Sequence, residues 1–256
     1  MFDFVRNIGA STLETIREMG RMFLFLFSVL RSIPTPPYRW NSFLKQMRFI
    51  GIRSLFVIAL TAVFAGMVLA LQGYYTLSRF GSEALLGPAV ALSIIRELGP
   101  VLTGLMVTGR AGSALAAELG IMRIREQIDA LEVMGIPPMK FLVTPRVEAG
   151  LLAVPILTLL FDVIGIWGGY LVAVRLLGMS GGTYFGGIES AVEMHDITTG
   201  LIKSVSFGLI VTWVCTYKGY FTQRGAEGVS HATTSAVVMS SVLILVCDYF
   251  ITSIML

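Results

Sequence analysis

The chain has 256 residues, of which 55% are hydrophobic and 14% charged, and its mean hydropathy is +0.80. A soluble domain carries roughly a quarter charged residues, and one built like this would expose apolar patches wide enough to aggregate. The formal charge of +3 comes without a Lys/Arg run or a basic–aromatic alternation, so a nucleic-acid surface has no support, and a lipid bilayer is the solvent that suits the composition.

The fold class that follows is an all-α integral membrane protein in one domain, residues 1–256. Residues 1–37 read as an interfacial amphipathic helix and linker. The apolar stretch Met22–Leu30 is short, Asp3, Glu14 and Glu18 interrupt its lead, and no small-residue cleavage site follows, which argues against a signal peptide. Glu14, Arg17, Glu18 and Arg21 recur at helical spacing on one face, with Leu13, Ile16 and Phe23 available to the apolar side. Thr35-Pro36-Pro37 is too proline-rich to continue a helix.

A helix needs about 20 apolar residues to cross a bilayer core. About five segments qualify: 54–77, 84–119, 147–174, 197–217 and 233–254. The second is too long for one straight crossing and is broken by Arg96-Glu97-Leu98-Gly99-Pro100, which predicts a kinked or partly re-entrant helix bending near Gly99-Pro100. Cys215 and Cys247 sit inside apolar runs, without a disulfide framework or a CxxC pattern, and are expected to be buried and inert. His195 and His231 sit far apart in sequence and are too few for a histidine-based metal site without other ligands.

Charge outside the spans orients them. Arg39, Lys45, Arg48 and Arg53 precede the first span; Arg123, Arg125, Lys140 and Arg146 lie between the second and third; Lys218 and Arg224 lie between the fourth and fifth. The intervening loops hold only Arg79 in 78–83 and no Lys or Arg in 176–196, giving a cytoplasmic N-terminus and a C-terminus on the far side. In the loop 124–135, Ile124, Ile128 and Leu131 share one face while Arg125, Asp129 and Glu132 line another, which predicts a short amphipathic helix. Gly135 supplies a left-handed C-cap and Pro137-Pro138 a stop. Either a connector lying on the membrane or a helix presented to a cytoplasmic partner fits this pattern.

Charges inside spans are costly and face a polar interior or a partner. Arg96, Glu97, Lys203 and Asp248 fall at one depth in the outer half of the membrane, two positive and two negative. Buried ion pairs that fix helix register are one reading. The other is the polar lining of an apolar-walled cavity for a ligand with an anionic head and greasy tails, Arg96 offering a planar fork to phosphate and Lys203 a second positive charge. Arg110, Glu118 and Asp162 also lie in or near the membrane, and nothing beyond ion pairing is assigned to them. The small-residue runs 109–117 and 165–169 suit close helix packing. No P-loop, HExxH or GxSxG motif occurs, so the chain carries no ATPase site of its own and no common hydrolase site; nor is there an evident inverted repeat, which weakens a secondary-transporter reading.

Seven segments in order carry a resemblance: Gly66-Met-Val-Leu-Ala-Leu-Gln-Gly73, Arg96-Glu-Leu-Gly-Pro100, Gly109-Arg-Ala-Gly-Ser-Ala114, Glu126-Gln-Ile-Asp-Ala-Leu-Glu-Val-Met-Gly135, Pro145-Arg146, Gly165-Ile-Trp-Gly-Gly169 and Leu201-Ile-Lys-Ser204. With the N-terminal helix they cover nearly the whole chain, which resembles the MlaE-type (YrbE) permeases, membrane subunits of ABC systems that move phospholipids between bacterial membranes. The resemblance implies a multi-pass subunit in a Gram-negative inner membrane, N-terminus cytoplasmic and C-terminus periplasmic, that helps maintain outer-membrane lipid asymmetry. It implies a homodimer with a phospholipid cavity at its interface, lined by Arg96, Glu97, Lys203 and Asp248, with Leu71, Leu77, Phe80 and Leu98 as apolar lining. Cytoplasmic ABC ATPase subunits, which would bind the ATP and Mg, are implied to dock on a coupling helix through Glu126, Gln127, Asp129, Leu131, Glu132, Met134 and Gly135. A STAS-domain protein and a periplasmic MCE-domain hexamer are further implied partners. No catalytic residue, metal or cofactor is expected in this chain. An ATP-independent scaffold anchoring partners on both sides is the alternative, and an intramembrane enzyme lacks any recognisable catalytic constellation.

Overall fold

The computed structural model describes residues 2–36, 38–223 and 225–255, without the side chains of residues 2–11 and 15. The expectations resting on Asp3, Pro37 and Arg224 lie outside that description. The helices are α1 (Phe2–Ser32), α2 (Trp40–Ile50), α3 (Leu55–Ser78), α4 (Leu86–Ser93), α5 (Gly99–Val107), α6 (Ser113–Ile124), α7 (Gln127–Val133), α8 (Thr144–Tyr170), α9 (Gly181–Ala191), α10 (Met194–Tyr220) and α11 (Ala226–Met255). Among the described residues there is no strand. Five helical runs are long and apolar enough to cross a membrane: Trp40–Ser78, Glu83–Ile124, Met139–Leu176, Met194–Tyr220 and Ala226–Met255. The expected spans fall inside them. The first run gains α2, which the basic residues on either side of it had concealed.

The second run is continuous, not re-entrant. Gly87 near its start packs on the carbonyl of Tyr184 in α9, while Gly120 near its end packs on Thr222 and Val229 between and within the last two spans. Its ends therefore lie at opposite ends of the bundle. With 42 residues it would reach about 60 Å, twice an apolar core. Two π-helical turns, Ile94–Leu98 and Thr108–Gly112, absorb the irregularity where a kink was expected at the first and nothing at the second.

Glycine sets the closest helix contacts. A Cβ at Gly66 in α3 would stand 1.8 Å from the carbonyl oxygen of Gly165 in α8, so nothing larger fits while the two backbones touch. α8 and α10 form the buried centre, contributing Phe161, Phe207, Val211 and Cys215 to one core; Cys247 is only half-buried. α1 has two apolar faces. Met22, Phe25 and Val29 are buried on α10, where Trp213 Nε1 donates to the Met22 carbonyl at 3.0 Å. Leu13, Ile16 and Phe23 stay largely exposed. α1 packs at the Lys/Arg-rich end of the bundle, and the chain finishes in α11 at the other.

Candidate functional site at the far end of the bundle

Leu98-Gly99-Pro100 builds the site from the backbone outward. Proline has no N–H, and its ring collides with the carbonyl four residues back, here that of Arg96. The chain widens to a π turn instead, in which the Gly99 N–H reaches back to the Ile94 carbonyl. The Arg96 carbonyl is left without its helical donor, and a side chain from another span supplies one: Lys203 Nζ donates to it at 2.9 Å. α10 comes this close because Gly200 faces the turn, where a Cβ would meet the Ile95 carbonyl at 2.4 Å. Gly99 is required in turn by Asp162, whose Oδ1 would lie 1.9 Å from a Cβ there.

Lys203 also pairs with Glu97 Oε2 at 2.6 Å and with Asp248 Oδ1 at 2.9 Å, while its side chain is 0% exposed. Thr252 Oγ1 lies 3.2 Å from Glu97 Oε1. The structure thus brings together Glu97, Lys203 and Asp248 from three spans. Lys203 Nζ donates to the Arg96 carbonyl and to Glu97 Oε2 and lies 2.9 Å from Asp248 Oδ1, so its charge is already met by groups of this chain, where the sequence also offered it to a phosphate. Arg96 is the exposed cation, at 44%.

Arg96 points the other way, as adjacency to Glu97 on a helix requires. Its Nε and Nη2 donate to Asp196 Oδ1 at 2.6 and 2.5 Å. Asp196 is 1% exposed and held by its own helix: Oδ2 accepts from the Glu193 N–H at 2.9 Å in a capping box that opens α10. Sequence reasoning placed Asp196 at a loop boundary; the Glu193-x-x-Asp196 spacing was the signal for its position. Its presence changes the charge balance. Two cations, Arg96 and Lys203, against three carboxylates, Glu97, Asp196 and Asp248, leave a formal −1 rather than the expected zero.

Arg96, Glu97, His195, Asp196, Thr199, Thr252 and Met255 line a cavity of about 190 Å³. None of the four expected apolar residues lines it. Leu77 borders a separate groove of about 290 Å³ between α3 and α4, Leu71 and Phe80 face outward at 37% and 77% exposure, and Leu98 is half-buried on the π turn.

At the basic end, the chain turns from α6 into α7 through Glu126, whose φ of 57° is left-handed. The helix is therefore shorter than 124–135: it begins at Gln127, and Ile124 belongs to α6. Ile128 is fully buried and Leu131 half-buried against the core, as their spacing requires. Gly135 has a φ of 74° and its N–H closes on Glu132, the expected C-cap. Of the expected contact residues, Asp129 is paired with Arg123 at 2.6 Å and Glu132 accepts from Tyr220 at 3.4 Å, leaving Glu126, Gln127, Met134 and Gly135 free at the surface. Val133, 90% exposed beside them, is not among the residues expected there.

Two of the three unassigned charges find partners. Arg110 donates to the Phe49 carbonyl at 2.6 Å and to Ser54 Oγ at 2.9 Å, so it ties the second π turn to the break between α2 and α3. Glu118 pairs with buried Arg146 at 3.0 Å. Asp162 Oδ1 is buried with no hydrogen-bond partner among the described residues.

Residues 43–254 match the family described as Permease MlaE. The chain is 44% identical over 252 residues to a probable ABC transporter permease protein of Rickettsia conorii, covering 98% of this chain and 97% of that one. It is 42% identical over 254 residues to the intermembrane phospholipid transport system permease protein MlaE of Haemophilus influenzae, covering 99% and 97%. A chloroplastic Arabidopsis thaliana protein, TRIGALACTOSYLDIACYLGLYCEROL 1, is 40% identical over 214 residues, covering 84% of this chain and 61% of the plant protein.

Proposed function

The chain belongs to the MlaE permease family, and from that membership we propose that it is the membrane subunit of an ATP-driven ABC transporter moving phospholipid between inner and outer membranes. Its role would be to maintain outer-membrane lipid asymmetry, from a Gram-negative inner membrane with the basic end cytoplasmic and the C-terminus periplasmic. The observation that carries the reading is Arg96: a half-exposed guanidinium, fixed by a buried carboxylate, on the wall of a cavity at the far end of five apolar spans. A fixed planar fork of donors recognises a phosphodiester, and the surrounding apolar helices suit its tails.

At about 190 Å³ the cavity is smaller than the roughly 300–1,000 Å³ of sites that enclose a drug-sized ligand. It holds a head group and no more. A second copy of the chain, closing across the exposed apolar face of α11, would complete the enclosure and bring Leu71, Leu77, Phe80 and Leu98 nearer the tails. Lys203 then serves as the internal counter-ion that keeps Glu97, Asp248 and the Arg96 carbonyl in register, rather than as a direct contact.

The cytoplasmic ATPase subunits, holding ATP and Mg, would dock on the exposed tip of α7 formed by Glu126, Gln127, Val133 and Met134. α7 is joined to the lipid end by one continuous helical run, α6 through α4, whose two π turns sit beside Arg96 and Arg110. A push on α7 would therefore reach the Arg96 wall without crossing a flexible loop. A STAS-domain protein on the ATPase and an MCE-domain hexamer on the periplasmic side would extend the assembly at either end. This chain makes and breaks no covalent bond.

The test is lipid retention. The complex purified in detergent should carry phospholipid, and Arg96→Ala should remove most of it while the variant stays folded. Full retention in a folded Arg96→Ala complex contradicts the assignment.

A further inference from the structure

Two unpaired charges of opposite sign share a groove at the basic end, far from the Arg96 cavity. The groove is about 400 Å³ and lies between the start of α2 and the first turns of α8. Ile33, Phe43 and Leu152 give it an apolar floor, and Tyr38 and Trp40, 59% and 67% exposed, stand at its mouth. Exposed Tyr and Trp mark the head-group layer of a bilayer. Its walls are pinned: Ser32 Oγ and Thr144 Oγ1 are 2.5 Å apart, and Lys140 Nζ donates to the Pro36 carbonyl.

Arg39 closes one side. Its guanidinium lies 3.5 Å from the centroid of the Phe141 ring, Nη1 lies 3.5 Å from the Phe141 carbonyl, and no carboxylate among the described residues neutralises it. Glu148 closes the other, one turn into α8, without a hydrogen bond or ion pair among the described residues. The two do not pair with each other although they line the same groove. A carboxylate inside a membrane-crossing run calls for a cation to meet it, and none of the described residues supplies one. Beyond Leu152 the exposed face of α8 continues through Ile156, Leu159 and Val163, an apolar track leading from the groove toward the bilayer centre.

We propose that this groove binds a zwitterionic phospholipid bearing a primary ammonium, from the leaflet at the basic end. Its phosphate would meet Arg39, its ammonium would donate to Glu148, and an acyl chain would follow Leu152 and Ile156. A purely anionic lipid leaves Glu148 unpaired beside it. A quaternary ammonium has no N–H to donate, so phosphatidylcholine forfeits the charge-assisted hydrogen bond, a difference of about tenfold in affinity. The free head group alone would lack the track.

The test places a photoreactive phenylalanine analogue at Leu152 in the chain held in nanodiscs of equal phosphatidylethanolamine, phosphatidylcholine and phosphatidylglycerol. Mass spectrometry should find phosphatidylethanolamine crosslinked about tenfold over phosphatidylcholine. Glu148→Gln, equal in size, should abolish that preference, and Glu148→Lys should turn it toward phosphatidylglycerol. Arg39→Gln should lower capture of every phospholipid. Equal capture of the three lipids, crosslinking to another protein chain, or an unchanged preference in Glu148→Gln would overturn the proposal. Because the probe sits at the opposite end from Arg96, a negative result here leaves the lipid site at Arg96 standing.

Discussion

The two ends of the bundle handle charge in opposite ways. At the far end, Lys203 is completely enclosed, and two other spans supply its acceptors. Toward the basic end two pairs sit nearer the surface, Arg123 with Asp129 at 35% and 49% exposure and Lys218 with Glu18 at 17% and 48%, and only Arg146 is buried, against Glu118. Water screens the Arg123 and Lys218 pairs, so each is worth little; Lys203 is sealed from water at the far end, so losing a partner there leaves a buried charge and is expensive. The far end is organised by charge inside a low-dielectric interior. The basic end is organised by turn chemistry, at Glu126 and Gly135, and by the burial of Ile128.

The contrast is broken most sharply by Lys203→Met. It leaves Glu97, Asp248 and the Arg96 carbonyl without their shared donor, at an expected cost of about 3–5 kcal/mol. Thermal unfolding of the purified chain should show it, and an unchanged midpoint would mean the cluster is solvated. Asp196→Asn comes next. It weakens the hold on Arg96 while keeping the helix start, with an expected stability loss of about 1–2 kcal/mol and a clear fall in co-purified phospholipid. Val133→Asp, at a solvent-facing tip, should change stability by less than about 0.5 kcal/mol yet abolish ATPase co-purification. Glu126→Gly is the mildest. It relieves a left-handed non-glycine residue and should be neutral or stabilising by up to about 1 kcal/mol in the same melt. If ATPase binding survives Glu126→Gly but not Val133→Asp, the docking contact is apolar.

The spans were legible because twenty apolar residues have little other use, and the shared depth of Glu97, Lys203 and Asp248 followed from counting along them. Depth alone left ion pairing and a cavity lining both open, and the contact among the three came with the helix packing. Asp196 was not legible, since a carboxylate at a loop boundary looks solvated until the capping box turns it inward beneath Arg96. The π turns were half-visible: Gly99-Pro100 announced a break at Ile94–Leu98, whereas Thr108–Gly112 carries no proline and is imposed by tertiary packing, with Arg110 reaching to Phe49 and Ser54. The apolar residues Leu71, Leu77, Phe80 and Leu98 share no cavity in the single chain, because nothing in one sequence says which surface a second copy covers.

The measurement closest to the central claim is transfer of labelled phospholipid between donor and acceptor vesicles by the reconstituted transporter, this chain with its ATPase and periplasmic partners. Transfer that requires ATP, and that falls severalfold in Asp196→Asn while ATP hydrolysis continues, is the predicted result. Transfer at the wild-type rate in Asp196→Asn, or transfer indifferent to ATP, would contradict it.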